Sequence, residues 1–128
     1  MSSELSILGV YGLVVIGTLI LQVLLAAKEF GLMYLATARD DGRKQTGMGA
    51  RSLRCLENSV VAMALFAPAV LLLAVQDAFS GVTLLCAQAF LVARVLYIGV
   101  YRAGIPWLRT ILWTVGFLAT AYMYLAAI

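Results

Sequence analysis

Residues 94–109 read RVLYIGVYRAGIPWLR. An apolar run that starts near Val82 leads into this stretch, and a second apolar run leads out of it to the end of the chain. On a helix Arg94, Tyr97 and Tyr101 fall at i, i+3 and i+7 and share one face. Gly104 and Pro106 then break the helix, and Arg109 stands at the start of the next one. Ionisable groups inside a membrane are rare and usually face a cavity or the interior of a helix bundle. A basic and phenolic stripe beside a membrane-embedded turn is therefore suited to an anionic ligand near the membrane surface.

The rest of the composition sets the frame for that stripe. The 128 residues are 64% hydrophobic and only 12% charged, with a mean hydropathy of +1.03. These values exclude a soluble globular domain and predict an integral membrane protein, residues 1–128 forming one domain. The N-terminus lacks a basic n-region, and its apolar run is too long for the core of a cleavable signal peptide. The chain has no histidine, which removes His-based zinc, haem and general-base chemistry. Cys55 and Cys86 both fall in predicted helices and read as reduced packing residues.

Four apolar segments are each near the ~20 residues that cross a bilayer. The first runs from about Leu5 to Thr37, the second from about Leu53 to Val75, the third from about Val82 to Tyr101, and the fourth from about Trp107 to Ile128. DDGRKQTGMGARS joins the first pair and QDAFSG the second. The fold class predicted is an all-α membrane protein, a four-helix transmembrane bundle.

Charge placement predicts orientation. The nine basic residues are Lys28, Arg39, Arg43, Lys44, Arg51, Arg54, Arg94, Arg102 and Arg109, all in or near the first and third connections. Positive loops face the cytoplasm, so both termini are expected on the non-cytoplasmic side. This basic excess reads as a topology signal and not as a nucleic-acid footprint. Arg39, Arg43, Lys44, Arg51 and Arg102 read first as topology determinants and lipid-headgroup contacts. Trp107, Trp113, Tyr122 and Tyr124 read as interface anchors or packing residues, and Gln22 and Gln88 as interhelical hydrogen-bond partners. Arg54, Asn58, Arg94, Tyr97, Tyr101 and Arg109 ask for more. They lie where water is scarce and polar groups need partners. Structural pairing, such as Arg94 with Glu57, is the plain alternative to ligand binding.

Two stretches carry a resemblance to a known family. RSLRCLENSVVAMALF resembles the second-helix signature of the MAPEG family, membrane-associated proteins in eicosanoid and glutathione metabolism. That signature runs Arg, Asn four residues on, Glu three further, then an apolar stretch ending in Phe. Arg54, Asn58 and Phe66 match it, and Val61 stands where the family has Glu. ARVLYIGVYRAGIPWLRTILW resembles the third-helix signature of the short prokaryotic members, with Arg94, Tyr97, Tyr101, Gly104, Pro106, Arg109 and Trp113 fitting. The resemblance covers essentially the whole chain. It implies a four-helix bundle assembled as a homotrimer in a bacterial inner membrane, with glutathione as co-substrate bound between subunits. By position, Arg54 and Asn58 would hold the peptide's carboxylates and backbone, and Arg94, Tyr97 and Tyr101 would lie in the same binding set. Arg109 would stabilise the glutathione thiolate. The family Glu at the Val61 position meets the ligand's amino end. Glu57 is about 40° off that face and one turn away.

Three function classes compete. The first is a glutathione-dependent transferase or peroxidase acting on lipophilic electrophiles, favoured by Arg109 with the two tyrosines. The second is a non-catalytic module of the same fold that binds a lipid or an anionic amphiphile, favoured by Val61. The third, a small drug/proton exporter, needs a carboxylate within the membrane. The first helix is read as offering only Glu29, near its end, which argues against it.

Overall fold

The computed structural model of the protein describes residues 3–31, 46–103 and 105–128. The expectations for Arg39, Arg43, Lys44 and Gly104 fall outside these residues, as does the side chain of Arg102. Four helices make up the described chain: α1 (Glu4–Phe30), α2 (Gly47–Val75), α3 (Gly81–Ala103) and α4 (Pro106–Ala127). All four are long and apolar enough to cross a membrane. With its backbone hydrogen bonds satisfied along its own length, a helix is one of the few forms that can do so.

Each boundary has a local cause. Ser3 caps α1, its Oγ accepting from the Ser6 N–H at 3.1 Å. The helix ends at Phe30, because Gly31 turns to φ 86° while its N–H bonds back to Ala27; the rest of the expected first segment, to Thr37, lies outside the described residues. Glycine takes that conformation without a Cβ penalty. α2 begins at Gly47, earlier than the expected Leu53. Its start is tied to α1: the Thr46 backbone N–H donates to Glu29 Oε1 at 3.1 Å and the Thr46 hydroxyl donates to the same oxygen at 3.0 Å.

α2 ends with Asp77 at φ 50°, the Asp77 N–H on Ala74 O and the Ala78 N–H on Leu73 O at 2.9 Å. That pair of bonds is a Schellman closure. α3 opens on a reciprocal cap, Ser80 N–H to Thr83 Oγ1 at 2.7 Å and Thr83 N–H to Ser80 Oγ at 3.2 Å. α4 starts with Pro106 in its first turn, where the missing N–H costs nothing.

α1 packs on α2 and α3, and α4 packs on α3 and α2. α1 and α4 do not meet among the described residues. The core is aromatic. Phe66 of α2 and Phe90 of α3 stack with centroids 3.9 Å apart, and Tyr11 of α1 stands edge-on to Phe90 at 4.9 Å. All three are at most 2% exposed, with Ile7, Leu73 and Met123 filling the space around them. In α2, Pro68 has no N–H for the carbonyl of Ala64. One residue on, the Tyr124 hydroxyl of α4 donates to the Leu65 carbonyl, a crosslink between the two helices beside the break.

One expectation about the acids is corrected here. Glu29 is not the only carboxylate on the first helix. Glu4 lies in its first turn, 5% exposed, and Thr83 Oγ1 of α3 donates to its Oε2 at 2.7 Å. Its place at the very start of α1 made it read as outside the span.

Candidate functional site

Three helical stripes converge at the end of the bundle opposite Glu4. On α2, Arg54, Asn58 and Val61 stand at i, i+4 and i+7; on α3, Arg94, Tyr97 and Tyr101 do the same with i+3. On α4, Arg109, Trp113 and Gly116 follow one another at i, i+4 and i+7. Such spacings put each set on one face. Because α3 packs against both neighbours, the three faces come together, and they do so at two levels.

The outer level is a phenol between two guanidinium groups. Arg54 Nε donates to the Tyr101 hydroxyl at 3.0 Å. The Arg109 guanidinium lies over the Tyr101 ring, 4.8 Å from its centroid. Arg54 is exposed, while Tyr101 and Arg109 are half-buried. The side chains thus keep open donors beside a ring that fixes them, and a cation over a phenol face is attracted by the ring's quadrupole.

The inner level is built round Arg94, about 10 Å further along α3. It is 1% exposed. Its Nη2 donates to Ser59 Oγ at 3.2 Å, and its guanidinium carbon lies 4.3 Å from the centroid of the Tyr97 ring. Tyr11 donates to the Ser59 carbonyl at 2.8 Å, and its hydroxyl lies within electrostatic reach of Arg94. Tyr97 is itself buried and links the levels, its ring 5.7 Å from that of Tyr101. Arg94 does not pair with Glu57, and neither does Arg54. Glu57 is exposed on the outer side of α2. A buried cation next to a hydroxyl and an aromatic face still lacks full compensation, and Arg94 Nε has no hydrogen-bond partner. Asn58 Oδ1 is buried and equally unpartnered. Orphaned buried groups cost about 1–3 kcal/mol each and call for an explanation.

Other atoms of Arg94 and Asn58 line a cleft of about 200 Å³ between α2 and α4, floored by α3. Its walls are otherwise mostly apolar, with Val61 and Leu65 on one side, Trp113 and Phe117 on the other, and Phe90 beneath. Gly116 sets its floor on the α4 side. A Cβ there would lie 3.6 Å from Arg94 Cδ and 3.6 Å from Phe90 Cδ2. Sequence reasoning singled out Arg54, Asn58, Arg94, Tyr97, Tyr101 and Arg109 among the polar residues of the two levels. It did not find Ser59 or Tyr11, single hydroxyl side chains in apolar runs, whose role depends on how α1 and α2 face Arg94. Cys55 is buried and Cys86 half-buried, and the two are not bonded to each other.

Four membrane-length helices with a basic and phenolic cluster at one end define an integral membrane protein. The chain matches the MAPEG family over residues 7–128, nearly its whole length, and belongs to that family. Members of this family include glutathione transferases and peroxidases and proteins with other functions. No curated protein and no solved structure matches the chain.

Proposed function

We propose that the protein is a membrane-embedded, glutathione-dependent transferase or peroxidase acting on lipophilic electrophiles. The observation that carries this reading is the Arg54–Tyr101–Arg109 cluster, in which two guanidinium groups converge on one phenol. Arg54 offers the planar donor fork that suits a peptide carboxylate. Asn58 stands one turn along for the peptide backbone. Arg109 faces the thiol. A free thiol ionises at a pKa of about 8.5, and a nearby guanidinium stabilises the thiolate, which is the nucleophile. The thiolate sulfur forms a bond to an electrophilic carbon, the leaving group or opened ring takes the electron pair, and the thiol proton goes to water. The lipophilic partner arrives from the bilayer, where the apolar cleft opens.

The working unit on this reading is a homotrimer in a bacterial inner membrane, with both termini non-cytoplasmic. Arg54 and Val61 are exposed on α2, so the site has an open side that a neighbouring subunit closes. Native mass spectrometry from detergent showing only monomer counts against the trimer. Labelling of Ser3→Cys only from the cytoplasmic side reverses the orientation.

The decisive experiment is conjugation of a generic aromatic electrophile by purified protein with glutathione, normalised to folded protein. A rate indistinguishable from the uncatalysed reaction rejects the enzyme. Val61 and the apolar cleft would then favour the second reading, a non-catalytic module that binds a lipid or an anionic amphiphile.

A further inference from the structure

The bundle divides into two closely packed pairs, α1 with α2 and α3 with α4, and the cleft lies in the seam between them. Along that seam Arg54–Tyr101 and Arg94–Ser59 tie α2 to α3, and Glu4–Thr83 ties α1 to α3. The cleft side of the seam has its own tie, the Tyr124 hydroxyl on the Leu65 carbonyl. Leu65 and Tyr124 are the last positions on α2 and α4 that line the cleft. We propose that this hydrogen bond is a latch and Pro68 its hinge, which together decide how wide an apolar molecule from the bilayer the cleft admits. Nothing in this latch depends on the thiol chemistry proposed above.

Both walls are built to bend near the latch. Pro68 follows Leu65 by less than one turn; its ring crowds the preceding turn, and prolines are a chief cause of sharp bends in helices. Beyond it Ala69, Val70 and Leu73 are buried, which fixes that half of α2 in the core. Before it Val61 and Leu65, on the cleft wall, are 59% and 47% exposed. On α4 Gly116 has no side chain to stiffen the helix, and the Thr120 hydroxyl donates back to the Gly116 carbonyl at 2.8 Å, a bond that bends helices. The tie itself is weak, since an interhelical hydrogen bond inside a membrane shifts an equilibrium only about threefold. Trp113 and Phe117 are exposed on the other wall, and in a membrane such faces meet hydrocarbon, so the entrant is an uncharged molecule dissolved there. A dry cavity of about 150 Å³ takes benzene. The latched cleft, at about 200 Å³, therefore holds a single ring, and a fused or caged ring system has to part the latch.

The test uses the folded protein in lipid nanodiscs with Trp107→Phe, which leaves Trp113 on the cleft wall as the single tryptophan. Bromocyclohexane and bromoadamantane, a narrow and a wide apolar quencher, are titrated in turn. The saturable part of Trp113 quenching gives each apparent dissociation constant. Tyr124→Phe removes the latch hydroxyl and keeps the ring; it should tighten bromoadamantane about threefold and leave bromocyclohexane unchanged. Pro68→Ala restores the missing N–H and should weaken the wide quencher while sparing the narrow one. An equal change for both quenchers in Tyr124→Phe, or no change, overturns the latch and makes Tyr124 a packing residue. Bromoadamantane affinity unmoved by Pro68→Ala overturns the hinge. No saturable quenching by either molecule overturns the whole proposal, the seam then being covered by a second copy of the chain.

Discussion

At the end of the bundle where α2 turns into α3, Glu4 is 5% exposed and accepts the Thr83 hydroxyl, while Thr83 and Ser80 cap each other's backbone. At the opposite end, Arg94 is 1% exposed and keeps an Nε–H with no acceptor, and Asn58 keeps an acceptor with no donor. Both ends bury an ionisable side chain among polar neighbours. They differ in whether the cluster is complete. Polar networks whose members are satisfied hold elements in register, whereas unsatisfied ones tax the fold. Burial of a charge alone therefore does not mark a ligand site, as the complete Glu4 cluster shows.

Glu4→Ala should produce the largest change, a loss of about 1–3 kcal/mol, because it removes a buried hydrogen bond to a carboxylate and leaves the Thr83 hydroxyl only the Ser80 carbonyl. Thermal unfolding in detergent reads this, and conjugation per folded protein should stay at the wild-type rate. A drop in that normalised rate would mean the two ends are coupled, and the contrast would fail. Arg109→Ala should act in the opposite way. Conjugation should fall about tenfold for each unit by which the bound thiol's pKa rises, or ~1.4 kcal/mol per unit. Folded yield should hold, since Arg109 is only half-buried. Arg109→Lys should recover little, having lost the planar fork. An unchanged rate in Arg109→Ala would reduce Arg109 to a headgroup anchor. Arg94→Met draws the finest line between the two ends. Replacing a buried, incompletely paired ion with an apolar side chain of similar length is often neutral or stabilising, so stability should hold or rise by about 1 kcal/mol in thermal unfolding. Thiol binding should weaken. A marked loss of stability would show that Arg94 belongs with Glu4 as a structural group.

The sequence and the structure agree most where a run of residues decides the matter alone. Four stretches of about twenty apolar residues admit little besides four spanning helices. The shared face of Arg94, Tyr97 and Tyr101 also follows from spacing on one helix. The start of α2 does not, because Gly47, Gly49 and Ser52 look like loop, and Glu29 reaches across from α1 to hold Thr46. The convergence of Arg54 and Arg109 on one ring likewise depends on how α2 and α4 are rotated against α3. Ser59 and Glu4 escaped for the same reason: a lone polar residue acquires its partner only in the packed bundle. The apolar character of Val61 was legible, but its place in one cleft lining with Arg94 was not.

Gly116 carries one more consequence. Its missing side chain lets α4 lie against Phe90 and the stem of Arg94, and the same missing atoms leave the cleft its depth. A methyl group there would make only ordinary contacts at 3.6 Å, so alanine fits the backbone as it stands. Anything larger has to grow into the cleft or push the helices apart. The bore of the cleft is therefore adjustable by single carbon atoms at one codon: position 116 is a gauge for the girth of whatever lies beneath Trp113 and Phe117.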